Sequence, residues 1–412
     1  MNTQVSAFVL GMGVNGLGVA RSLGEVGVRV KGVEVTRWAP EFFSRYCEPL
    51  VCPSPVTEPE RVLQLLLAEG ERLGRPAVLF PTSDAFALFL SRYRAELRRR
   101  FLFALPAPSV AEGLVDKWLQ HQLAEQACIP CPRTLLAESV TDLARIQREI
   151  DYPAFLKPRV SHLWAPIFGN KGFRIDGPAE LAARLAEIAP SGQGVIVQAI
   201  IPGPNTNHYI VRAYIDDSNR ALGLFVERKI RQYPTDFGNA TMVESVRAPD
   251  AAELGVALLQ QLQYRGQAAI EFKRDARTGE LKLIEVNPRL GMKNILATRC
   301  GINLPLIELL DLTGQKPAPQ TEYRPGVRYL VTAGQDMRAF LDYYRQGELG
   351  LVEWARSVMT ARVFPYLDWR DPLPFVMAAG RGLWRRLLHW PKKVREKIRR
   401  RAARVRVEQA RP

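Results

Sequence analysis

Long apolar runs are missing from this chain. In its 412 residues no stretch of roughly 18 or more apolar residues occurs, so no hydrophobic spanning helix is expected. The opening segment MNTQVSAFVLGMGVNG contains no Lys or Arg, so no secretory leader is expected either. Only five cysteines (Cys47, Cys52, Cys128, Cys131 and Cys300) are spread over this length, which argues for a reducing, cytoplasmic setting and against a disulfide scaffold. The four histidines (His121, His162, His208 and His389) have no paired spacing that would complete a zinc site with Cys128 and Cys131. That pair borders prolines in a linker rather than a helix start, which disfavours a redox role. A GxxxxGK[ST] loop is absent, so the chain is not a P-loop protein.

Charge of one sign is in excess, but it is concentrated. Residues 381–412 hold 13 Lys and Arg against two Glu, which is +11 of the net +15. The body of the protein is close to neutral, and nothing in it extends a basic surface of the kind nucleic acid requires. In the tail, Leu383, Leu387, Val394, Ile398, Ala402 and Val405 recur at helical spacing, with Trp384 and Trp390 near its start. A basic amphipathic helix with tryptophans suits an anionic membrane surface, here the inner face of the membrane; a solvated or disordered terminal helix is the competing reading.

Along the chain, apolar strand patterns alternate with helical ones: strand 5–10, helix 14–25, strand 28–35, helix 59–73, strand 77–80, helix 84–97, strand 101–104, helix 109–127. This is the rhythm of a doubly wound α/β domain. Beyond Cys128-Ile-Pro-Cys-Pro132 the pattern changes. Strands near 154–157, 194–198, 206–215 and 221–231, a helix at 249–262 and a hairpin of 267–273 with 281–286 indicate an α+β region.

Two motifs compete to define the function. Gly11-Met-Gly13-Val-Asn-Gly16-Leu-Gly18 follows a strand and opens a helix, and Glu34 ends the next strand. That context fits dinucleotide binding in an NAD(P)-dependent dehydrogenase, or equally glycines that let a helix and strand approach closely. The second motif is the hairpin Ala269-Ile-Glu271-Phe-Lys273 with Leu283-Ile-Glu285-Val-Asn287-Pro-Arg289. Pairing symmetric about Thr278 sets Glu271 opposite Glu285, and Asn287 shares the face of Glu285. Carboxylates facing one another among apolar residues repel, an arrangement that a cation between them relieves. Two carboxylates and an amide oxygen are hard ligands suited to Mg²⁺, with Mn²⁺ as the alternative. Ordinary glutamates paired to Lys or Arg are the plainer reading.

Basic groups from separate segments accompany this hairpin. Lys157 ends the short strand of YPAFLKP, Lys117 starts a helix, and Arg228-Lys229-Ile-Arg231 ends another strand. Positioned cations beside a carboxylate metal site match the needs of a nucleoside triphosphate.

Taken in order, DKW (116–118), YPAFLKP, VIVQAIIPG (195–203), RKIRQYP (228–234), AAIEF and LIEVNPR resemble the ATP-grasp superfamily, and within it the carboxylate–amine ligases that look like D-aspartate ligase. The resemblance implies a Rossmann-like preATP-grasp domain (1–112), a two-subdomain ATP-grasp domain (113–320), an extension of unread role (321–380) and the basic tail (381–412). It assigns Lys117, Lys157 and Lys171 to ATP, with adenine against Gln198, Ala199, Ile200 and Ile201. Glu271, Glu285 and Asn287 become the magnesium ligands, and Lys229 and Arg289 hold the γ-phosphate and acyl-phosphate. A small carboxylic acid and an amine are the expected substrates. A non-catalytic nucleotide-binding module is the remaining alternative. Two departures stand out. The lid segment 159–172 keeps only Gly169 and Gly172, and Gln198 stands where glutamate is frequent.

Overall fold

The computed structural model describes residues 5–138 and 142–382, so the basic tail from residue 383 lies outside the described residues. The N-terminal alternation folds as expected in kind. It comprises β1 (Ala7–Leu10), α1 (Gly13–Gly24), β2 (Val30–Glu34), β3 (Glu48–Val51), α2 (Pro59–Leu73), β4 (Ala77–Pro81), α3 (Asp84–Arg92), α4 (Arg94–Leu97) and β5 (Phe101–Leu102). The five strands form a parallel sheet in the order β3-β2-β1-β4-β5. Side chains of β1 point alternately to two cores. Phe8 and Leu10 pack with Leu66, Phe89 and Phe101 on one face, while Ala7 and Val9 join the core shared with the C-terminal sheet. Each large side chain buried this way contributes about 1.5–3 kcal/mol. The helix expected over 84–97 divides at Tyr93, whose hydroxyl donates to Glu60.

The helix expected over 109–127 is also two: α5 (Pro108–Val115) and α6 (Lys117–Gln126). Asp116 interrupts it in an extended conformation and caps α6, its Oδ1 accepting from the amides of Trp118 and Leu119. A four-stranded antiparallel sheet follows, from β6 (Thr134–Ala137), α7 (Leu143–Glu149), β7 (Ala154–Pro158), α8 (Ser161–Phe168), β8 (Phe173–Ile175), α9 (Pro178–Ile188) and β9 (Val195–Ala199), in the order β6-β9-β7-β8. Ile146, Leu181 and Leu185 from its helices bury against Leu156 and Val197.

The rest builds a seven-stranded sheet. Its elements are β10 (His208–Ile215), β11 (Ala221–Tyr233), β12 (Asn239–Ser245), α10 (Pro249–Gln261), β13 (Gly266–Arg274), β14 (Leu281–Asn287), α11 (Asn294–Cys300), α12 (Leu304–Leu312), β15 (Arg328–Leu330), α13 (Ala333–Arg345), α14 (Leu351–Met359) and β16 (Ala361–Val363). The order is β14-β13-β10-β11-β12-β15-β16. Part of the segment past residue 320 therefore completes this sheet, since β15 pairs with β12. It also closes onto the N-terminal domain. The buried Arg21 guanidinium donates to Asp371 (Nε–Oδ2 2.9 Å) and to the carbonyls of Pro365 and Tyr366. Among the described residues no helix is long and apolar enough to cross a membrane.

Candidate active site

A cavity of about 1960 Å³ opens between the small sheet, the large sheet and the C-terminal end of the parallel sheet, and all twelve site residues expected from sequence line it. A single small-molecule site typically occupies about 300–1,000 Å³, so this one has room for a nucleotide and further substrates.

The acidic pair sits where strand symmetry expects it. β13 and β14 pair Ala269 with Asn287, Ile270 with Val286, and Glu271 with Glu285. Immediately beyond, the register slips so that Phe272 faces Leu283, leaving Ile284 as an extra residue beside the carboxylates. Among the described residues each carboxylate has one hydrogen-bond partner. Glu271 Oε2 is 2.8 Å from His208 Nε2, and Glu285 Oε1 accepts from Lys117. Asn287 Oδ1 accepts from Arg289 Nη2 at 3.1 Å. Burial opposes the charge on both glutamates. The His208 hydrogen bond and Lys229 hold Glu271 well below the usual carboxylate range, while Lys117 holds Glu285 down against the Glu271 charge. Burial and Lys229 push His208 down to about 4, so at neutral pH it donates to Glu271 as a neutral imidazole. The second oxygens of Glu271 and Glu285 have no hydrogen bond among the described residues.

The two strand-end and helix-start lysines differ. Asp116 fixes Lys117 at the first position of α6, and the Lys117 amide donates to Arg159 O (2.9 Å), tying it to the end of β7. Its ammonium meets Glu285, which outweighs burial and keeps the pKa above its ordinary value. Lys157 has an amide partner instead: its Nζ donates to Gln198 Oε1 at 2.9 Å, and Gln198 Nε2 donates to Thr134 Oγ1 at 2.8 Å. Burial and the neighbouring Lys117 push Lys157 down to about 7. Lys229, beside Gln232 Oε1 (3.0 Å), is pushed by burial down to about 8.

At the strand Val195–Ala199 and just after it, the amides of Ala199 and Ile200 already donate to Arg133 O (2.8 Å) and Pro153 O (3.1 Å). Among the described residues the Ile201 amide has no such bond. The lid segment contains α8, with Trp164 buried and stacked on Phe168 (ring centroids 4.0 Å apart). Lys171 reaches across to Asn239 of β12 (2.7 Å), and Phe155 stacks on Phe237 (3.9 Å), so two contacts join the small sheet to the β11–β12 turn.

Several residues at the site escaped sequence reasoning. His208 looks like a lone histidine until β10 pairs with β13. Asp84 accepts from Arg289 Nε (2.6 Å); its signal is its place in PTSD, at the C-terminal edge of a parallel strand. The buried Arg212–Glu227 pair (2.8 Å) and Lys293 also line the cavity.

The glycine loop is used internally. Glu34 Oε2 accepts from the Met12 amide (2.9 Å) and Oε1 from its own neighbour Val35 (2.7 Å). A Cβ on Gly18 would lie 2.3 Å from Asn294 Oδ1, so the glycine admits α11 against α1. The dehydrogenase reading finds no support here.

No family model matches the chain. It is similar to a D-aspartate ligase of Enterococcus faecium, 26% identical over 363 residues that cover 84% of this chain and 86% of that protein. Among solved structures it resembles N5-carboxyaminoimidazole synthetase from Staphylococcus aureus complexed with ADP (TM-score 0.64, 14% identical, 83% of this chain and 86% of that one). It likewise resembles an L-amino acid ligase from Bacillus licheniformis (TM-score 0.60, 14% identical, 79% and 78%). At these identities the structural likeness speaks for the fold.

Proposed function

We propose that this chain, a homologue of D-aspartate ligase with the ATP-grasp fold, is an ATP-dependent, ADP-forming ligase that joins a carboxylate to an amine. The observation that carries this reading is the in-register Glu271–Glu285 pair, set in one cavity with Lys117, Lys157, Lys171 and Lys229. We read the N-terminal parallel sheet as a Rossmann-like domain that supports the acceptor side.

The donor set fits a magnesium ion. Two facing carboxylates each keep an oxygen without a hydrogen bond among the described residues, and Asn287 lies two residues along the same strand from Glu285. Glu271, Glu285 and Asn287 would hold Mg²⁺ or Mn²⁺, which when bound supplies charge neutralisation at the phosphates. Adenine rests against Gln198–Ile201, where the unused Ile201 amide offers a donor to the base edge. Lys157, Lys117 and Lys171 bind phosphate oxygens as point charges.

In the first step a carboxylate oxygen of the acid attacks the γ-phosphorus of ATP, the bond to the bridging oxygen breaks, and ADP leaves. Lys229 and Arg289 stabilise the charge on the transferring group and then on the acyl-phosphate. In the second step the amine nitrogen attacks the acyl carbon, phosphate departs, and the amine loses a proton to give the amide. The contacts Phe155–Phe237 and Lys171–Asn239 hold the two sheets together over the site, which limits water near the acyl-phosphate.

The basic tail we read as a peripheral contact with anionic lipid at the cytoplasmic face. Support comes from its sequence and from Leu373, Phe375 and Val376, which are exposed just before it.

The reading is tested by thermal stabilisation and by trapping. Mg–ATP or Mg–ADP should raise the melting temperature where NAD(H) and NADP(H) do not. Hydroxylamine, standing in for the amine, should yield a hydroxamate in the presence of the right acid. Stabilisation by a nicotinamide cofactor alone would overturn the ligase.

A further inference from the structure

The N-terminal domain reaches the cavity through the start of α1 and the segment after β4, with Asn15, Thr82, Ser83, Asp84 and Ala85. Most of their polar atoms are already used. Asn15 Nδ2 donates to Thr82 O (2.8 Å), the Thr82 hydroxyl meets the carbonyls of Leu10 and Gly11, and the Ser83 hydroxyl caps α3 by accepting from the Phe86 amide. Asn15 Oδ1 is unpaired but shut off from solvent. Asp84 is the exception, and it is the charged residue of the five. Its Oδ1 accepts from Arg289 Nε at 2.6 Å, whereas Oδ2 has no hydrogen bond among the described residues and the side chain is 31% exposed.

The other carboxylates that line the cavity are committed or lie in the open. Glu271 and Glu285 face one another as the metal pair, Glu227 gives both oxygens to Arg212 (2.8 and 3.3 Å), and Asp275 is held by Arg277 and Lys282. Asp151, Asp236, Glu348 and Glu353 are exposed. Asp84 stands instead beside the reacting groups. Arg289, which takes its Oδ1, also donates through Nη2 to Asn287 Oδ1 (3.1 Å) and is the residue read above as holding the acyl-phosphate. The Asp84 charge acts as well on Lys117, whose ammonium meets Glu285. Lysines and arginines crowd this part of the cavity, and none of them can accept a hydrogen bond. The free oxygen of Asp84 is an acceptor there, next to the arginine assigned to the acyl-phosphate.

We propose that Asp84 Oδ2 seats the amine substrate: it accepts an N–H of the bound amine, turns the nitrogen lone pair towards the acyl carbon, and takes the proton the nitrogen sheds as the C–N bond forms. This role rests on the ligase reading and assigns its acceptor side to one side chain of the N-terminal domain. An amine that arrives as an ammonium first gives one proton to water. The nitrogen then bonds to the acyl carbon, one N–H bond breaks with its proton passing to Oδ2, and the bond from the acyl carbon to the phosphate oxygen breaks, its electron pair leaving with phosphate. Oδ1 keeps Arg289 throughout, so the carboxylate is fixed at one oxygen and available at the other.

In the test two nucleophiles compete for one acyl-phosphate. Full-length protein is turned over with Mg–ATP and an acid chosen from a panel of amino, hydroxy and aliphatic acids by its hydroxamate yield. An alkylamine (methylamine or n-butylamine, whichever gives more amide) is a cation at pH 7.5, whereas hydroxylamine is largely neutral there; mass spectrometry counts alkylamide against hydroxamate. Asp84→Asn leaves an oxygen for Arg289 Nε and puts an amide donor in place of Oδ2. It should cut kcat/KM for the alkylamine by on the order of 100-fold or more. Hydroxamate formation should fall by less than about tenfold, with KM for ATP and for the acid within about twofold. Asp84→Glu, which keeps a carboxylate, should recover at least about tenfold of the alkylamide loss, and Mg–ADP should stabilise both variants as it does the wild type. Equal loss of the two products, no change in either, loss of Mg–ADP stabilisation, or a wild type that forms hydroxamate and no alkylamide would overturn the role of Asp84 while leaving the ligase standing. No hydroxamate from any acid, with wild-type protein that Mg–ADP still stabilises, would contradict both.

Discussion

The glycine loop of α1 and the carboxylate hairpin of β13–β14 each look, in sequence, like a ligand site; the fold uses them in opposite ways. Glu34 turns back onto the Met12 amide of its own loop, and Gly18 is filled by Asn294 from α11. Glu271 and Glu285 instead face one another in a cavity, each with an oxygen left over. What separates the two is the remaining hydrogen-bonding capacity after the chain has satisfied itself. A motif whose acceptors are already occupied by backbone amides is architecture, whereas one held in repulsion with carboxylate oxygens left over beside buried lysines is a site.

The sharpest way to break this contrast is Glu285→Gln. Turnover should fall by on the order of 10³-fold or more, because a negative ligand beside the phosphates is lost. The fold should survive. Glu285 is 33% exposed on its side chain, the carboxamide oxygen still accepts from Lys117, and repulsion with Glu271 is relieved, so the stability change should stay within about 1 kcal/mol. Normal turnover, or an unfolded variant by circular dichroism, would make the hairpin structural too.

Next in size is a pH effect at Lys157. Burial and Lys117 lower its pKa to about 7, Glu285 and Glu271 act the other way more weakly, and Gln198 adds no charge. Phosphate binds the protonated form, so nucleotide binding takes up a proton above pH 7. Apparent affinity for Mg–ADP should decline there by up to about tenfold per pH unit. Gln198→Glu puts a carboxylate beside Lys157, and should move that decline to higher pH by about a unit or more; calorimetric titration across pH 6–9 reads it. An unmoved limb would remove Lys157 from the phosphate site.

Gly18→Ala probes the other member of the comparison. Its methyl would collide with Asn294, so about 1–3 kcal/mol of stability should be lost in chemical denaturation, with the dissociation constant for Mg–ADP unchanged within about twofold. Loss of nucleotide binding in folded protein would return the glycine loop to the site. The smallest effect on catalysis is expected from truncation after Gly380, beyond which the charged tail runs. Turnover should be unchanged, while co-sedimentation with anionic vesicles at low salt, and not with neutral ones, should be lost.

Much of this was legible in the chain. The N-terminal alternation is read from period and punctuation, and the opposition of Glu271 and Glu285, expected from counting about Thr278, is met because the slip at Ile284 restores that register. What escaped had no periodic signal. The short strands β6, β8 and β16 are each three or four residues long. His208 gains meaning only from the register of β10 against β13, and Asp84 from an arginine 205 positions later in the chain that takes one of its oxygens. The break at Asp116 divides one long expected helix because the cap there outweighs apolar spacing that runs straight through, whereas the break at Tyr93 comes without a side-chain cap. The lid shows the converse, since α8 forms in a segment containing Pro166 through burial of Trp164 against Phe168.

In the proposed reaction a carboxylate oxygen becomes bonded to the γ-phosphorus before the amide forms. With the acid identified by hydroxamate trapping, that acid is prepared with ¹⁸O in both oxygens of the reacting carboxylate and turned over with Mg–ATP and amine. Mass spectrometry of the inorganic phosphate should find one ¹⁸O per phosphate released, with ADP as the only nucleotide product. Phosphate free of label, or label recovered in AMP, would contradict the acyl-phosphate.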